Sequence, residues 1–375
     1  MPETSSPDEL VTGSEAQVSG YVYVCFAVDT GASIDVERAR YAVHGLVVEA
    51  PRNDPDRVIL YCSRPVEPVD LFRGHRLEPM VRYTMYADFG AISLRFRMPF
   101  TGTMQEWVAV SSTLCDNEAL QSLALRCAAD ISKELGTAVQ ELALAKEAED
   151  YLIYCLEVRN TEGIEGFIER NRTSIAQVVN AESLALHSEV IKETMESRVS
   201  WYRHDCIFIE WTGAALVRSA GAVEEELTDD TVTALEFANM QLHQFNILSQ
   251  KLDRAIIRAY QVTTDLEVSE QEQQFLDGLT IDAAELLGRV TSGLKVFSNR
   301  HQARLLRVVA RRFEFPGRSD EIRVKLSDLR TIRQRVVDAK RHKQSHLIEI
   351  LIAGLFMVEV IPLVYRGILL AFGLD

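Results

Sequence analysis

The chain has 375 residues, of which 47% are hydrophobic and 25% charged, with a formal net charge of −15. These proportions are those of a folded globular protein and exclude a largely disordered one, while the length exceeds a single typical compact domain. The acidic balance disfavours generic binding to nucleic-acid phosphates, which requires clustered Lys and Arg to displace condensed counterions.

Residues 1–16 are polar and acidic and are expected to be disordered; with no basic n-region followed by an apolar stretch, they do not read as a signal or transit peptide. The six cysteines (Cys25, Cys62, Cys115, Cys127, Cys155, Cys206) form no CxxC pair, which fits a reducing compartment and folding in the cytosol. Gln17–Val28, Asp56–Cys62 and Val81–Met98 are rich in aromatic and β-branched residues and predict strands, with Gly90 supplying a bulge or a tight turn inside the third. The Asp-Phe-Gly tripeptide ending at Gly90 lacks the catalytic-loop and glycine-rich motifs that would make it a kinase element. Helical periodicity follows over Asp116–Ala148, a buried strand over Asp150–Val158, and helix again over Ile164–Arg198. Cys206–Val217 (CIFIEWTGAALV) is the last strong strand signal, apolar enough for a sheet covered on both faces.

Everything beyond it reads as helix. Leu235, Ala238, Leu242, Phe245, Leu252, Ile256 and Ala259 hold one apolar stripe. Leu287, Val290, Leu294 and Phe297, then Ile322, Leu326, Leu329 and Val336, continue the pattern on either side of the breaker Pro316-Gly317. A helical hairpin or bundle follows, its stripes serving as the domain's own core or as an oligomer seam. The charge is concentrated here: residues 289–343 carry 16 Lys+Arg against 5 Asp+Glu, net +11, leaving −26 on the remainder.

Leu347–Leu374 has three charges in 28 residues, long enough at 1.5 Å per residue to cross a hydrocarbon core of about 30 Å. Lys340, Arg341 and Lys343 precede it, a basic cluster suited to anionic headgroups and to the cytoplasmic side. Within the segment Glu359 is costly and calls for a partner, for which Arg366, seven residues on, is the candidate in the same helix or a neighbouring subunit. The alternative is a buried or interfacial helix broken at Pro362. Asp338, His342, His346 and Glu349 share one helical face, and the i, i+4 histidines make His342, His346 and Glu349 a metal candidate, although a solvated face at the membrane surface explains the same pattern. No GxSxG, Walker loop or GxGxxG occurs, so no catalytic residue and no cofactor is assigned.

Four stretches, Tyr202–Val217, Leu235–Tyr260, Gly288–Arg311 and Ser345–Leu363, together resemble uncharacterised bacterial membrane proteins related to the required-for-meiotic-nuclear-division superfamily. The resemblance covers roughly residues 200–365 and rests on Trp211 in Glu210-Trp211, on Glu236 and Asn239 in Glu236–Leu242 (EFANMQL), on Asp253 in Leu252–Arg254, and on Lys295. It departs from the family pattern at Ser292-Gly293 and Asn299. It implies a membrane-anchored, oligomeric scaffold without known catalysis at a bacterial inner membrane.

The fold expected is therefore α+β: an N-terminal mixed α/β head with a small sheet over 17–220, a helical hairpin or stalk over 221–345, and a membrane helix over 346–374. The function expected is a non-catalytic scaffold or tether, not an enzyme. Its partners would be membrane lipids, further copies of itself and an unknown protein or ribosomal partner, with no sequence-specific nucleic-acid binding. The alternative is an oligomeric CorA-like ion transporter or channel with one membrane helix per subunit, which lacks the Gly-Met-Asn motif of that family.

Overall fold

The computed structural model describes residues 16–371 except 32, 50–57, 88–89, 140–147, 160–162, 222–224, 266–273, 275–277, 279, 282, 285–286 and 289–299, and gives backbone only at 225–226, 261–265, 336–337, 339–344, 363 and 365–371. It divides into two compact units, residues 1–247 with 287–319 and residues 248–286 with 320–375. Lys295 therefore lies outside the described residues.

The first unit is built on a sheet. Its strands are β1 (Val18–Asp29), β2 (Val47–Glu49), β3 (Ile59–Pro65), β6 (Met80–Tyr86), β7 (Ala91–Gly102), β8 (Glu149–Val158), β9 (Asp205–Ile209) and β10 (Gly213–Ser219). They lie in the order β2-β3-β6-β7-β1-β8-β10-β9, and a separate two-stranded ribbon joins β4 (Asp70–Phe72) to β5 (His75–Arg76). Central strand β1 pairs along its whole length with β7, Val18 opposite Gly102 and Asp29 opposite Ala91. Among the described residues only β8 and β10 run parallel. Their connection carries the helices α4 (Gly163–Val179) and α5 (Ser188–Glu196), as a parallel crossover requires.

The run 81–98 resolves into β6 and β7, with Gly90 in the turn between them at φ 61°. Cys206–Val217 is likewise a hairpin and not one strand: the chain reverses at Glu210-Trp211-Thr212, so β10 is internal and β9 forms the sheet edge. The composition gave no sign of the turn because both arms are apolar. The helix break expected at Pro316-Gly317 falls slightly earlier, at Glu314 with φ 53°. Pro316 sits in the first turn of the next helix, where a missing N–H costs nothing.

One face of this sheet is apolar. Val22, Val24 and Phe26 of β1, Leu94, Phe96 and Met98 of β7, and Leu152, Tyr154 and Leu156 of β8 join one core with α2 (Met104–Leu114), α3 (Glu118–Leu135) and α4. A short helix α1 (Val36–Ala42) lies between β1 and β2. The start of α2 is fixed by a capping box, in which Glu106 N–H donates to Thr103 Oγ1 at 3.3 Å and Thr103 N–H to Glu106 Oε2 at 2.9 Å. Trp107 on that helix is fully buried, and its Nε1–H donates to the carbonyl of Val18 at 3.1 Å. The opposite face carries Cys25, Thr84, Ser93, Arg95 and Tyr151, all buried.

Among the described residues beyond β10, the longer helices are α6 (Glu225–Asp265), α7 (Arg300–Arg312) and α8 (Phe315–Ala371). Residues 225–247 of α6 and all of α7 belong to the sheet-containing unit. In the second unit, Lys325 Nζ donates to Ser249 Oγ at 2.6 Å and to Asp253 at 2.9 Å, and Leu252, Ala255, Ala259, Ile322, Leu326 and Leu329 are buried.

Candidate functional site

The second sheet face is closed by an ionic layer. Arg82 and Arg95 stand opposite one another on β6 and β7, and Asp229, Thr233 and Glu236 lie one and two turns apart on α6. Arg95 Nε donates to Glu236 Oε2 at 3.1 Å, and its Nη2 reaches the same oxygen and Thr233 Oγ1. Its Nη1 donates to Asp229 Oδ1 at 2.5 Å, while Arg82 Nη1 donates to Asp229 Oδ2 at 3.0 Å. The side chains of Arg95 and Glu236 are 4% and 0% exposed. The Arg95–Glu236 pair is thus neutralised inside the fold, while Arg82 and Asp229, 34% and 48% exposed, extend the pairing to its margin. Burial would lower the pKa of Arg95, but the carboxylates more than offset it and the net shift is upward. For Asp229 burial acts upward and is overcome by Arg95 and Arg82, which hold the carboxyl below its usual range.

The layer continues along α6. Asn239 Nδ2 donates to the carbonyl of Glu149 at 3.0 Å, and Gln244 Nε2 donates to Asp29 Oδ1 at 3.2 Å. His243 lies 4.0 Å from Glu149 Oε2. Burial depresses its pKa to about 4, so at neutral pH this contact is not an ion pair. Burial also raises the Glu149 carboxyl. Toward the sheet edge, Arg218 of β10 binds Glu157 and Thr228, and a small crevice there is lined by Asp205, Arg218, Thr228, Thr231 and His301. Around the β9–β10 turn, Glu210 takes Arg312 of α7, which also reaches Glu193 at 2.8 Å.

Of the residues marked out by sequence, Glu236 and Asn239 thus meet in one buried layer. Trp211 sits in the hairpin turn, 43% exposed, with its ring against Phe313 and the Arg318 guanidinium 5.0 Å from its centroid. Asp253 belongs to the second unit, where it pairs with Lys325. Sequence reading missed Arg82, Arg95 and Asp229. The signals present are a charged residue alternating with Leu94, Phe96 and Met98 on a strong strand, and polar residues spaced 229, 233 and 236 on the helix.

Cys115, Asp116 and Asp150 place one ligand-type atom each within 4.8 Å of one another. The Cys115 thiol is pushed up to about 12 by burial and by Asp116, which makes it a poor thiolate donor.

The C-terminal part of α8 has a different character. Ser345–Pro362 is an 18-residue apolar stretch of mean hydropathy 1.7, none of it buried. Glu359 lies exposed within it. His346 Nδ1 is 3.3 Å from Glu349 Oε2, and both side chains are exposed. The side chains of Lys340, Arg341, His342, Lys343 and Arg366 lie outside the described residues, so neither the Glu359–Arg366 pair nor the third member of the proposed metal set has a described geometry.

A family model described as "Uncharacterized protein MJ0711, N-terminal domain" matches residues 19–223. The match runs from β1 past β10 and includes every strand of the large sheet. No curated protein and no solved structure matches the chain. The match spans more than half of the 375 residues, and the chain belongs to the family of the uncharacterized protein MJ0711, N-terminal domain.

Proposed function

We propose that this chain is a membrane-anchored, non-catalytic scaffold or tether, whose α+β head takes a macromolecular partner on the cytoplasmic side. The observation that carries the reading is the exposure of Ser345–Pro362. Eleven large apolar side chains between Leu347 and Ile361 are each more than one-third exposed. A contiguous apolar surface of that kind is stable against lipid or another protein and not against water. Eighteen helical residues rise about 27 Å, close to the thickness of a hydrocarbon core.

The basic run Lys340-Arg341-His342-Lys343 immediately before the segment supports a cytoplasmic head. Glu359 supports oligomerisation, since an ionisable group in hydrocarbon costs roughly 2.5–3.5 kcal/mol and a neighbouring copy's Arg366 would relieve it. The resemblance of residues 200–365 to membrane proteins related to the required-for-meiotic-nuclear-division superfamily supports the same reading. The charges of the head suit a structural role, because Arg95 is paired with Glu236 and Asp229, and Asp229 with Arg82.

The test is alkaline-carbonate extraction of membranes holding the full chain, beside a version ending at Gln344. Retention of the full chain in the pellet and release of the shortened one supports the anchor. Release of both rejects it, and the exposed apolar face of α8 would then be a protein-packing surface.

A further inference from the structure

We propose that the exposed face of α7, with the adjoining Trp201-Tyr202 pair, is a binding surface for single-stranded nucleic acid. Helix α7 (RHQARLLRVVARR) has five arginines and no acidic residue. Leu305, Leu306, Val309 and Ala310 face the core. Arg300, Arg304, Arg307 and Arg311 recur at i, i+4, i+7 and i+11, and all four are exposed. Among the described residues none of these four shares an ion pair with a carboxylate, whereas Arg312 is engaged by Glu193 and Glu210. The four guanidiniums form a line about 16 Å long.

Beside this line the chain before β9 exposes two aromatic rings. Trp201 is 36% and Tyr202 48% exposed. Their backbone N–H groups donate to Asp205 Oδ1 at 2.8 and 3.1 Å. Trp201 meets His301 of α7 edge-on, with the Arg304 guanidinium 5.9 Å from its ring centroid. Trp201 and the row of cations are thus fixed to the same helix, while Tyr202 stacks on His204 with ring centroids 5.3 Å apart.

That combination fits one partner chemistry. Guanidinium binds phosphate through paired N–H donors, and aromatic faces stack on unpaired bases irrespective of sequence. A row of charges matches a linear polyanion. A lipid surface is instead met by a broad basic patch, or by a helix with an apolar face free to insert, and the apolar face of α7 is spent on the core. The net charge of −15 does not by itself oppose this, because at 0.1 M salt charges beyond about 10 Å are screened and, among the described residues, the four arginines share no ion pair with a carboxylate.

The inference names a class for the macromolecular partner of the preceding reading and rests on it for that idea alone. Carbonate extraction tests the anchor and the following experiment tests the arginine row, so each can fail without the other.

The full chain, purified in detergent, is titrated into fluorescein-labelled oligouridylate of about twelve nucleotides, and anisotropy is followed from low to moderate salt. Four phosphate contacts give a slope of log K against log salt of about −3. The double change Arg304→Gln, Arg307→Gln is expected to weaken binding at least about tenfold and to reduce the slope by about 1.4. Trp201→Ala is expected to weaken binding about fivefold or more with the slope unchanged, and Trp201→Phe to restore it. Circular dichroism identical to the parent keeps these losses attributable to the surface. Absence of binding by the parent at low salt overturns the proposal, as does equal binding by the arginine variant. So does arginine-dependent capture by phosphatidylserine nanodiscs over neutral ones without RNA binding, which would assign the row to lipid.

Discussion

Replacing Glu236 with Leu leaves the Arg95 guanidinium 4% exposed, with Asp229 at Nη1 and Thr233 at Nη2 but no acceptor for Nε. Removing one member of a buried ion pair costs about 3–5 kcal/mol, because the survivor keeps its desolvation penalty and loses its compensation. Arg95→Met strands Glu236, which is 0% exposed, at a similar cost. The double variant removes both buried charges. Asp229 remains, but its side chain is 48% exposed and still faces Arg82 at 3.0 Å, so it needs no new partner. The double variant should therefore lie within about 1–2 kcal/mol of the parent, with a coupling energy of at least about 3 kcal/mol. Urea unfolding followed by tryptophan fluorescence measures it. The three tryptophans (Trp107, Trp201, Trp211) all belong to the sheet-containing unit, so the signal reports that unit even where the whole chain departs from two-state behaviour. Additive single effects, or single effects below about 1 kcal/mol, would refute the argument that a desolvated pair closes this face.

His243 supplies a pH dependence. Its folded pKa is about 4 against 6.5 in the unfolded chain, so the unfolded state takes the proton first. Its contribution is complete above pH 6.5 and is lost as pH falls toward 4, on the order of 3 kcal/mol in all. In His243→Gln the urea midpoint should vary less across that window, and an unchanged profile would count against burial of the neutral ring. Gly20 of β1 faces the backbone of β8 so closely that a Cβ would stand 1.8 Å from the carbonyl oxygen of Cys155. Gly20→Ala should cost about 3 kcal/mol or more, measured in the same way, and a stable variant would mean that β1 and β8 can separate cheaply. A chain ending at Gly221 should bind a hydrophobic dye and lose cooperative unfolding, since it exposes Cys25, Arg95, Tyr86 and Tyr151 together. A sharp urea transition in that fragment would contradict the account of the second face.

The strands and the apolar tail were legible because each announces itself locally. β1, β7 and β8 are dense in aromatic and branched residues, and Ser345–Pro362 needs only its composition to be recognised. The turn at Glu210-Trp211-Thr212 was not, since both arms of the hairpin are apolar and reversal depends on how the arms pair. The polar layer was hidden for a deeper reason. In β7, Ser93, Arg95 and Arg97 alternate with Leu94, Phe96 and Met98, and alternation by itself reads the polar side as solvated. Arg95 is buried because its counter-charges arrive on a helix more than a hundred residues later, whereas Arg97 is part-exposed and pairs with Glu78.

Local periodicity can place Asp229, Thr233 and Glu236 on one stripe but cannot say what the stripe meets. Glu236 and Asn239 were picked out only through the EFANMQL resemblance, and the structure gives those two positions a physical content: one neutralises Arg95, the other holds the backbone of Glu149. The family match ends at residue 223, whereas the first carboxylate that compensates Arg95 is Asp229. Sequence similarity therefore closes on the last strand, while the electrostatics of the sheet close only on the helix that follows. A segment cut at the similarity boundary carries the buried Arg95 and the half-buried Arg82 without the acids that neutralise them.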